Sequence, residues 1–167
     1  MTGKGTEAPW YVCHTRPRCE KKFAALMQAE AFEHYLPLFT SSRRYPSGTK
    51  RFTKPLFPGY VFAQVPAELK SRIYQQELIA RAIPVEDVAR FLSQLDDVRK
   101  VIAAGVELTM IPLLGRGRRV RVIGGPLHGL EGLVDDPSNP KGVAISVDVL
   151  RQGLLLRVPA DQLQVLP

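Results

Sequence analysis

The sequence predicts an α+β fold, in which an antiparallel sheet covered by helices precedes a small five-stranded barrel of the SH3 type. Residues 55–65 (PLFPGYVFAQV) include an aromatic and β-branched run that is typical of a strand. Apolar residues recur at helical spacing on both sides of this run, within the first 105 residues. Helical periodicity then ends, and five short alternating runs follow. We therefore expect domains at residues 9–105 and 117–167, joined by a linker at 106–116.

The central strand begins after Phe57-Pro58-Gly59, a sequence unsuited to regular helix or to a central strand. Pleating of the strand predicts an aliphatic face on one side and an aromatic face, with Tyr60 and Phe62, on the other. The aliphatic face is suited to a cover of helices. The aromatic face is either a second core or a docking surface.

Residues 10–14 predict a strand, and the next residues predict a helix with Thr15 as its N-cap and Pro17 in its first turn. One apolar stripe along this helix predicts its buried face: Cys19, Phe23, Leu26, Met27 and Ala31.

Residues 35–39 predict a strand in which Pro37 marks an edge or a bulge. Residues 40–53 predict a long hairpin that turns at Pro46-Ser47-Gly48. Four cations flank that turn: Arg43, Arg44, Lys50 and Arg51. A solvated tip is one interpretation, but the shared sign favours contact with phosphates.

Residues 67–74 predict a helix, and residues 78–83 predict a short strand. Pro84 begins the next helical pattern, for which Gly105 is a suitable C-terminal cap. The order of elements is βαβββαβα or close to it, which is typical of a ferredoxin-like sandwich.

In the last 50 residues, Val143 to Val149 alternate between β-branched and smaller or polar residues. This alternation favours a strand. Glycines and prolines on either side would interrupt any long helix. We therefore expect a permanently β-folded C-terminal domain.

The formal net charge is +7, and residues 1–54 alone hold ten Lys/Arg against four Asp/Glu. A localised excess of positive charge favours a polyanion, with nucleic acid as the default partner. No apolar run approaches the ~20 residues of a membrane span. No export signal is recognised at the N-terminus, so a cytoplasmic location is expected. A monomer is also expected.

Cys13 and Cys19 are interpreted as a reduced pair rather than a disulfide. A zinc site is not expected, because it would need more ligands and the three histidines are scattered. The sequence contains no phosphate-binding loop, metal motif or catalytic constellation, so neither an enzyme, a metal nor a cofactor is expected. Gly124 to Gly129 and Asp135-Asp136 are interpreted as turns.

Residues 117–134 (GRRVRVIGGPLHGLEGLV) resemble the KOW motif. Trp10-Tyr11, the basic helix after it and Phe57-Pro58-Gly59-Tyr60-Val61-Phe62 resemble, in order, the N-terminal (NGN) domain of the NusG family of transcription elongation factors. Together these stretches span nearly the whole chain.

The resemblance implies an N-terminal domain that docks on the clamp helices of the largest RNA polymerase subunit, suppresses pausing and touches non-template or upstream DNA. The residues implied in polymerase binding are Tyr11, Phe57, Tyr60 and Phe62. Those placed for nucleic acid are Arg16, Arg18, Lys21, Lys22, Arg43, Arg44, Lys50 and Arg51. The KOW domain is implied to recruit a small-subunit ribosomal protein or the termination factor Rho, through Leu127, His128 and Leu150.

Two departures distinguish this chain from the housekeeping pattern. Residues 75–81 (QQELIAR) replace a Pro-Gly turn and a glycine-rich strand, and Leu150 replaces an aromatic residue. Both resemble specialised paralogues that antiterminate particular operons. A housekeeping factor and a ribosome-associated KOW protein that binds RNA stay open as alternatives.

Overall fold

The computed structural model describes residues 7–113, 116–138 and 140–167, except for the side chain of Arg43. By its internal contacts the chain divides into two units, Met1–Glu86 and Asp87–Pro167. The expected linker, residues 106–116, lies inside the second unit and contains a strand. Each unit is described by itself.

The first unit is built on a four-stranded antiparallel sheet. Its strands are β1 (Trp10–Thr15), β2 (Glu33–Tyr35), β5 (Tyr60–Gln64) and β6 (Ile79–Pro84). Their order in the sheet is β2-β5-β1-β6. Helix α1 (Glu20–Ala29) follows β1, and a 3-10 segment, Ala67–Glu77, follows β5. A separate two-stranded ribbon is formed by β3 (Leu38–Tyr45) and β4 (Gly48–Pro55).

The aliphatic face of the central strand β5 is the core of this unit. Val61, Ala63 and Val65 are fully buried in one cluster with Phe23 and Met27 of α1. The expected helical cover is thereby confirmed, and the stripe on α1 is its buried face. Ala31 is an exception, since it lies beyond the helix with a φ of 61°.

Helix α1 begins four residues later than the sequence predicts. Thr15 ends strand β1 and donates its backbone N–H to Gly59 O at 2.8 Å, so it is not a helix cap. Pro17 lies in a turn, and Cys19 occupies the N-cap position without a capping side-chain bond. The prediction was wrong because sheet pairing extended β1 through Thr15.

Residues 35–39 do not form one strand. The chain leaves the sheet after Tyr35 and begins the ribbon at Leu38, with the buried Pro37 between them. Proline cannot donate a hydrogen bond to a neighbouring strand, so a break here is expected. The hairpin with its turn at Pro46-Ser47 is confirmed, and it is longer than residues 40–53.

The second unit contains helix α2 (Val88–Ala104) and a six-stranded antiparallel sheet. The helix does not begin at Pro84, which is the last residue of β6. Asp87 caps α2: its Oδ1 accepts a hydrogen bond from the Arg90 N–H at 3.1 Å. Gly105 ends the helix in the left-handed conformation, with φ 66°. This confirms the predicted C-terminal cap.

The five C-terminal strands predicted from the sequence are all present: β8 (Arg118–Val122), β9 (Glu131–Val134), β10 (Val143–Val147), β11 (Gln152–Leu156) and β12 (Leu163–Val165). A sixth strand, β7 (Leu108–Pro112), pairs with β11. The order β12-β8-β9-β10-β11-β7 leaves β12 and β7 at the two edges. Within the described residues the sheet therefore does not close into the expected five-stranded barrel.

Candidate polymerase and nucleic-acid interface

The register of β1 against β5 places His14 directly opposite Tyr60. Their rings stack, with centroids 4.9 Å apart and planes inclined by 15°. Both residues are half-buried, so each keeps some surface that is accessible to solvent. The sequence does not reveal this partner of Tyr60, because only the strand register brings residues 46 positions apart together.

The turn before β5 is held by hydrogen bonds from two elements. The Gly59 N–H donates to Glu20 Oε2 of α1 at 2.8 Å, and Gly59 O accepts from the Thr15 N–H of β1. Gly59 has φ +90°, and a Cβ there would lie 3.5 Å from the His14 ring. Glycine adopts this positive φ without strain, so Gly59 can form the turn beside the stacked pair.

The other predicted polymerase-binding rings are less accessible than Tyr60. Tyr11, Phe57 and Phe62 are buried, and Phe62 is 0% exposed. Tyr11 belongs to the aliphatic core cluster, and the Lys70 ammonium lies 5.3 Å from its ring centroid. Of the four predicted rings, only Tyr60 offers accessible surface in this conformation, and the docking roles of all four stay predictions.

Four of the predicted nucleic-acid residues lie around the start of α1: Arg16, Arg18, Lys21 and Lys22. All four side chains are exposed. Arg16, Arg18 and Lys21 line an open groove of about 810 Å³, together with His14 and Gly59. The groove combines positive charge with the His14 side chain.

The ribbon carries the remaining predicted cations. Arg44, Lys50 and Arg51 are exposed, whereas the side chain of Arg43 lies outside the described residues. Lys21 Nζ donates to Thr53 O of β4 at 2.9 Å, which connects α1 to the ribbon. The two basic segments predicted separately from the sequence therefore meet on one unit.

The predicted partner residues of the C-terminal unit divide by exposure. His128 is exposed in the turn between β8 and β9, while Leu127 and Leu150 are buried. The turn is closed by a hydrogen bond from Gly129 N–H to Val122 O at 2.7 Å, which confirms the predicted turn. The partner-binding assignment of these three residues stays a prediction.

Both cysteines are free thiols. Burial raises the pKa of Cys13 to about 12. Across the described ranges, no group of three or more His, Cys, Asp or Glu side chains is placed to hold a metal ion. No helix in that same part of the chain is long and apolar enough to span a membrane.

Comparison with known proteins gives one family. Residues 8–111 match the family model described as NusG, transcription termination factor nusG. No curated protein matches the sequence.

Among solved structures, "Domain interaction in Thermotoga maritima NusG" is similar at 16% identity and a TM-score of 0.47, covering 98% of this chain and all of that one. A second, "Crystal Structure of MjSpt4:Spt5 complex conformation B", has 15% identity and a TM-score of 0.31, and covers 93% of this chain and 95% of the other. These scores are too low to carry weight beside the family model. Because that model matches more than half of the residues, the chain belongs to the NusG family of transcription elongation and termination factors.

Proposed function

We propose that this protein is an elongation and antitermination factor that binds the clamp helices of RNA polymerase through its first unit and suppresses pausing or termination. The observation that carries the proposal is the half-buried Tyr60 ring, which stacks on His14 and directly follows the hydrogen-bonded turn at Gly59. A rigid aromatic ring is a typical anchor at protein interfaces, since little conformational entropy is lost when it binds.

Buried Phe57 and Phe62 contribute to this surface by supporting Tyr60 rather than by direct contact. Phe57 O accepts a hydrogen bond from the Tyr60 N–H at 3.2 Å, across the turn. Phe62 follows Tyr60 on the same face of β5. Tyr11 lies in the core of the opposite face.

The basic groove and the ribbon would contact non-template or upstream DNA while the factor is bound to polymerase. The four exposed cations of α1 and its preceding turn, with Arg44, Lys50 and Arg51, supply the charge. Contacts to phosphates position a protein on nucleic acid but carry no base information. This surface therefore needs no particular sequence.

The C-terminal sheet would recruit a second partner, a small-subunit ribosomal protein or Rho, through the exposed turn at His128. We further propose a specialised paralogue rather than the housekeeping factor. The supporting observation is the segment at residues 75–81, which has no glycine although Gln76 and Glu77 adopt φ of 59° and 53°.

The proposal is tested by titrating labelled protein with purified core RNA polymerase. Tyr60→Ala should weaken binding by about 2 kcal/mol, roughly 30-fold, because it removes the anchor ring. Tyr74→Ala is the matched control, since Tyr74 is 43% exposed on the 3-10 segment of the same unit. It should bind like wild type.

Circular dichroism of each variant reports whether the fold is retained. Equal affinities of folded Tyr60→Ala and Tyr74→Ala would contradict the assignment of Tyr60 as the anchor. Wild-type protein that fails to bind polymerase at all would contradict the proposed function.

A further inference from the structure

The ribbon has two faces of different chemistry, which its register defines. Cross-strand partners in an antiparallel pair lie on the same face. The pairs Tyr45–Gly48, Ser41–Phe52 and Phe39–Lys54 fall on one face, together with Lys50. The opposite face holds the apolar pair Leu38–Pro55 at its base, followed by hydroxyl groups and two arginines: Thr40, Ser42, Arg44, Thr49, Arg51 and Thr53.

The first face, defined here as the ring face, alternates aromatic rings with cations. Tyr45 is 39% exposed, and Phe52 is half-buried. Lys50 Nζ lies 5.5 Å from the Tyr45 ring centroid, and Lys54 Nζ lies 6.0 Å from that of Phe52. Each ring therefore has a positive charge over one of its faces and a surface that reaches solvent.

The ribbon also has no internal counter-charge. Residues 38–55 contain Arg43, Arg44, Lys50, Arg51 and Lys54 but no Asp or Glu. None of the ion pairs found among the described residues includes a ribbon cation. A partner that carries negative charge and flat apolar groups would complement both the cations and the rings of this face.

We propose that the ring face of the ribbon is a stacking platform for unpaired bases of a single-stranded nucleic acid. Tyr45 and Phe52 would stack on bases, while Lys50 and Lys54 contact the phosphates. Four residues of extended strand separate the two rings, roughly 13 Å, so each ring stacks on a different base. Duplex DNA hides the faces of its bases, whereas a single strand offers both bases and phosphates.

This inference deepens the proposed function, on which it rests, by naming the ligand class of the ribbon. Elongating polymerase presents an unpaired DNA strand and an RNA strand, and these share the chemistry that the ring face would recognise. The experiment distinguishes between the two sources.

The test uses the full chain and measures fluorescence anisotropy with four probes of roughly 12 nucleotides, within the site sizes of known single-strand binders. The probes are a thymidine DNA strand, a uridine RNA strand, an abasic deoxyribose-phosphate strand and a DNA duplex. Both base-bearing single strands should bind more tightly than the abasic strand of equal charge. The tighter of the two identifies the DNA or the RNA source.

The variant Tyr45→Ala/Phe52→Ala should lose roughly 5- to 150-fold in affinity for base-bearing strands for each base unstacked. Its affinity for the abasic strand should stay within about twofold of wild type, because no phosphate contact is removed. Tyr45→Leu/Phe52→Leu keeps apolar volume without a flat ring and should show the same loss. Thr49→Ala/Thr53→Ala is the control with two substitutions on the opposite face, and it should leave the affinity for every strand unchanged.

Salt dependence separates stacking from charge. Lys50→Ala should reduce the slope of log affinity against log salt by about 0.7, the value for one phosphate contact on a single strand. The ring variants should leave that slope unchanged.

An abasic strand that binds as tightly as the base-bearing strands would overturn the proposal, and so would preferred binding to the duplex. Equal losses of the ring variants on abasic and base-bearing strands would also overturn it. Tyr60→Ala should retain oligonucleotide binding while it loses polymerase. If the ring variants bind oligonucleotides like wild type, the stacking proposal fails but the polymerase assignment of Tyr60 is unaffected. If Tyr60→Ala binds polymerase like wild type, the polymerase assignment fails but the stacking proposal is unaffected.

Discussion

Glu20 shows how one side chain positions the candidate interface. It lies in the first turn of α1, is buried, and accepts the Gly59 N–H that precedes β5. A carboxylate in the first turn also interacts favourably with the helix dipole. Glu20 thus connects α1 to the turn that orients the Tyr60 ring.

Glu20→Ala should lower the free energy of unfolding by about 1–3 kcal/mol, since it leaves the Gly59 N–H without its acceptor. Glu20→Gln keeps an oxygen acceptor of the same length and should cost less. Urea denaturation followed by circular dichroism measures both. If the two substitutions cost the same, the hydrogen bond to Gly59 is not what Glu20 contributes.

Residue patterns predicted which side chains share a face better than they predicted how deeply each side chain is buried. The stripe on α1 and the aliphatic face of β5 follow from spacing alone, because helical and strand periods determine which side chains share a face. The same spacing places Tyr60 and Phe62 on one face, yet Phe62 is fully buried and Tyr60 is only half-buried. That difference arises from tertiary packing, about which a two-residue period says nothing.

At the scale of elements, errors occurred where local signals competed with sheet pairing. Thr15 followed by Pro17 is a sound start signal for a helix, but the pairing of β1 with β5 and β6 extends the strand through Thr15. The ribbon was predictable, because its basic turn at Pro46-Ser47-Gly48 separates two strand-like runs. The ring face was not predicted, since it depends on the register of β3 and β4.

The pairing of β8 with β9 includes a charged triad. Glu131 lies opposite Arg121, and its carboxylate accepts hydrogen bonds from Arg121 at 3.0 Å and from Arg119 at 2.8 Å. These bonds hold the pKa of Glu131 below its ordinary 4.5. A lowered pKa in the folded state means that the carboxylate stabilises the fold above pH 4.5, and that this stabilisation is lost as pH falls through the folded pKa.

The stability difference between wild type and Glu131→Gln should therefore be largest near neutral pH and should shrink as pH falls below about 4.5. The difference is small because the triad is exposed. Urea midpoints at several pH values measure it. Asp161→Asn, at an exposed position outside the ion pairs of the described residues, is the control for general charge effects. A difference that grows on acidification would contradict the ion-pair account.

At the scale of the molecule, the α+β class and the antiparallel sheets were predicted correctly, whereas the predicted five-stranded barrel is not closed within the described residues. Strand β7 lies in the stretch expected to be a linker and pairs along its length with β11. Leu108-Thr109-Met110-Ile111-Pro112 is a plausible edge strand, but its alternation is short and ends in a proline. Which partner such a strand pairs with depends on contacts far away in sequence.

The central claim is that this NusG-family chain acts on elongating RNA polymerase through the Tyr60 surface. Single-round transcription on a template with a defined pause measures this most directly, with wild type, Tyr60→Ala and Tyr74→Ala added in turn. Wild type and Tyr74→Ala should shorten the pause to the same extent, and Tyr60→Ala should require roughly 30-fold more protein for that effect. Unchanged pausing at saturating wild-type protein, or full activity of Tyr60→Ala at the wild-type concentration, would contradict the account.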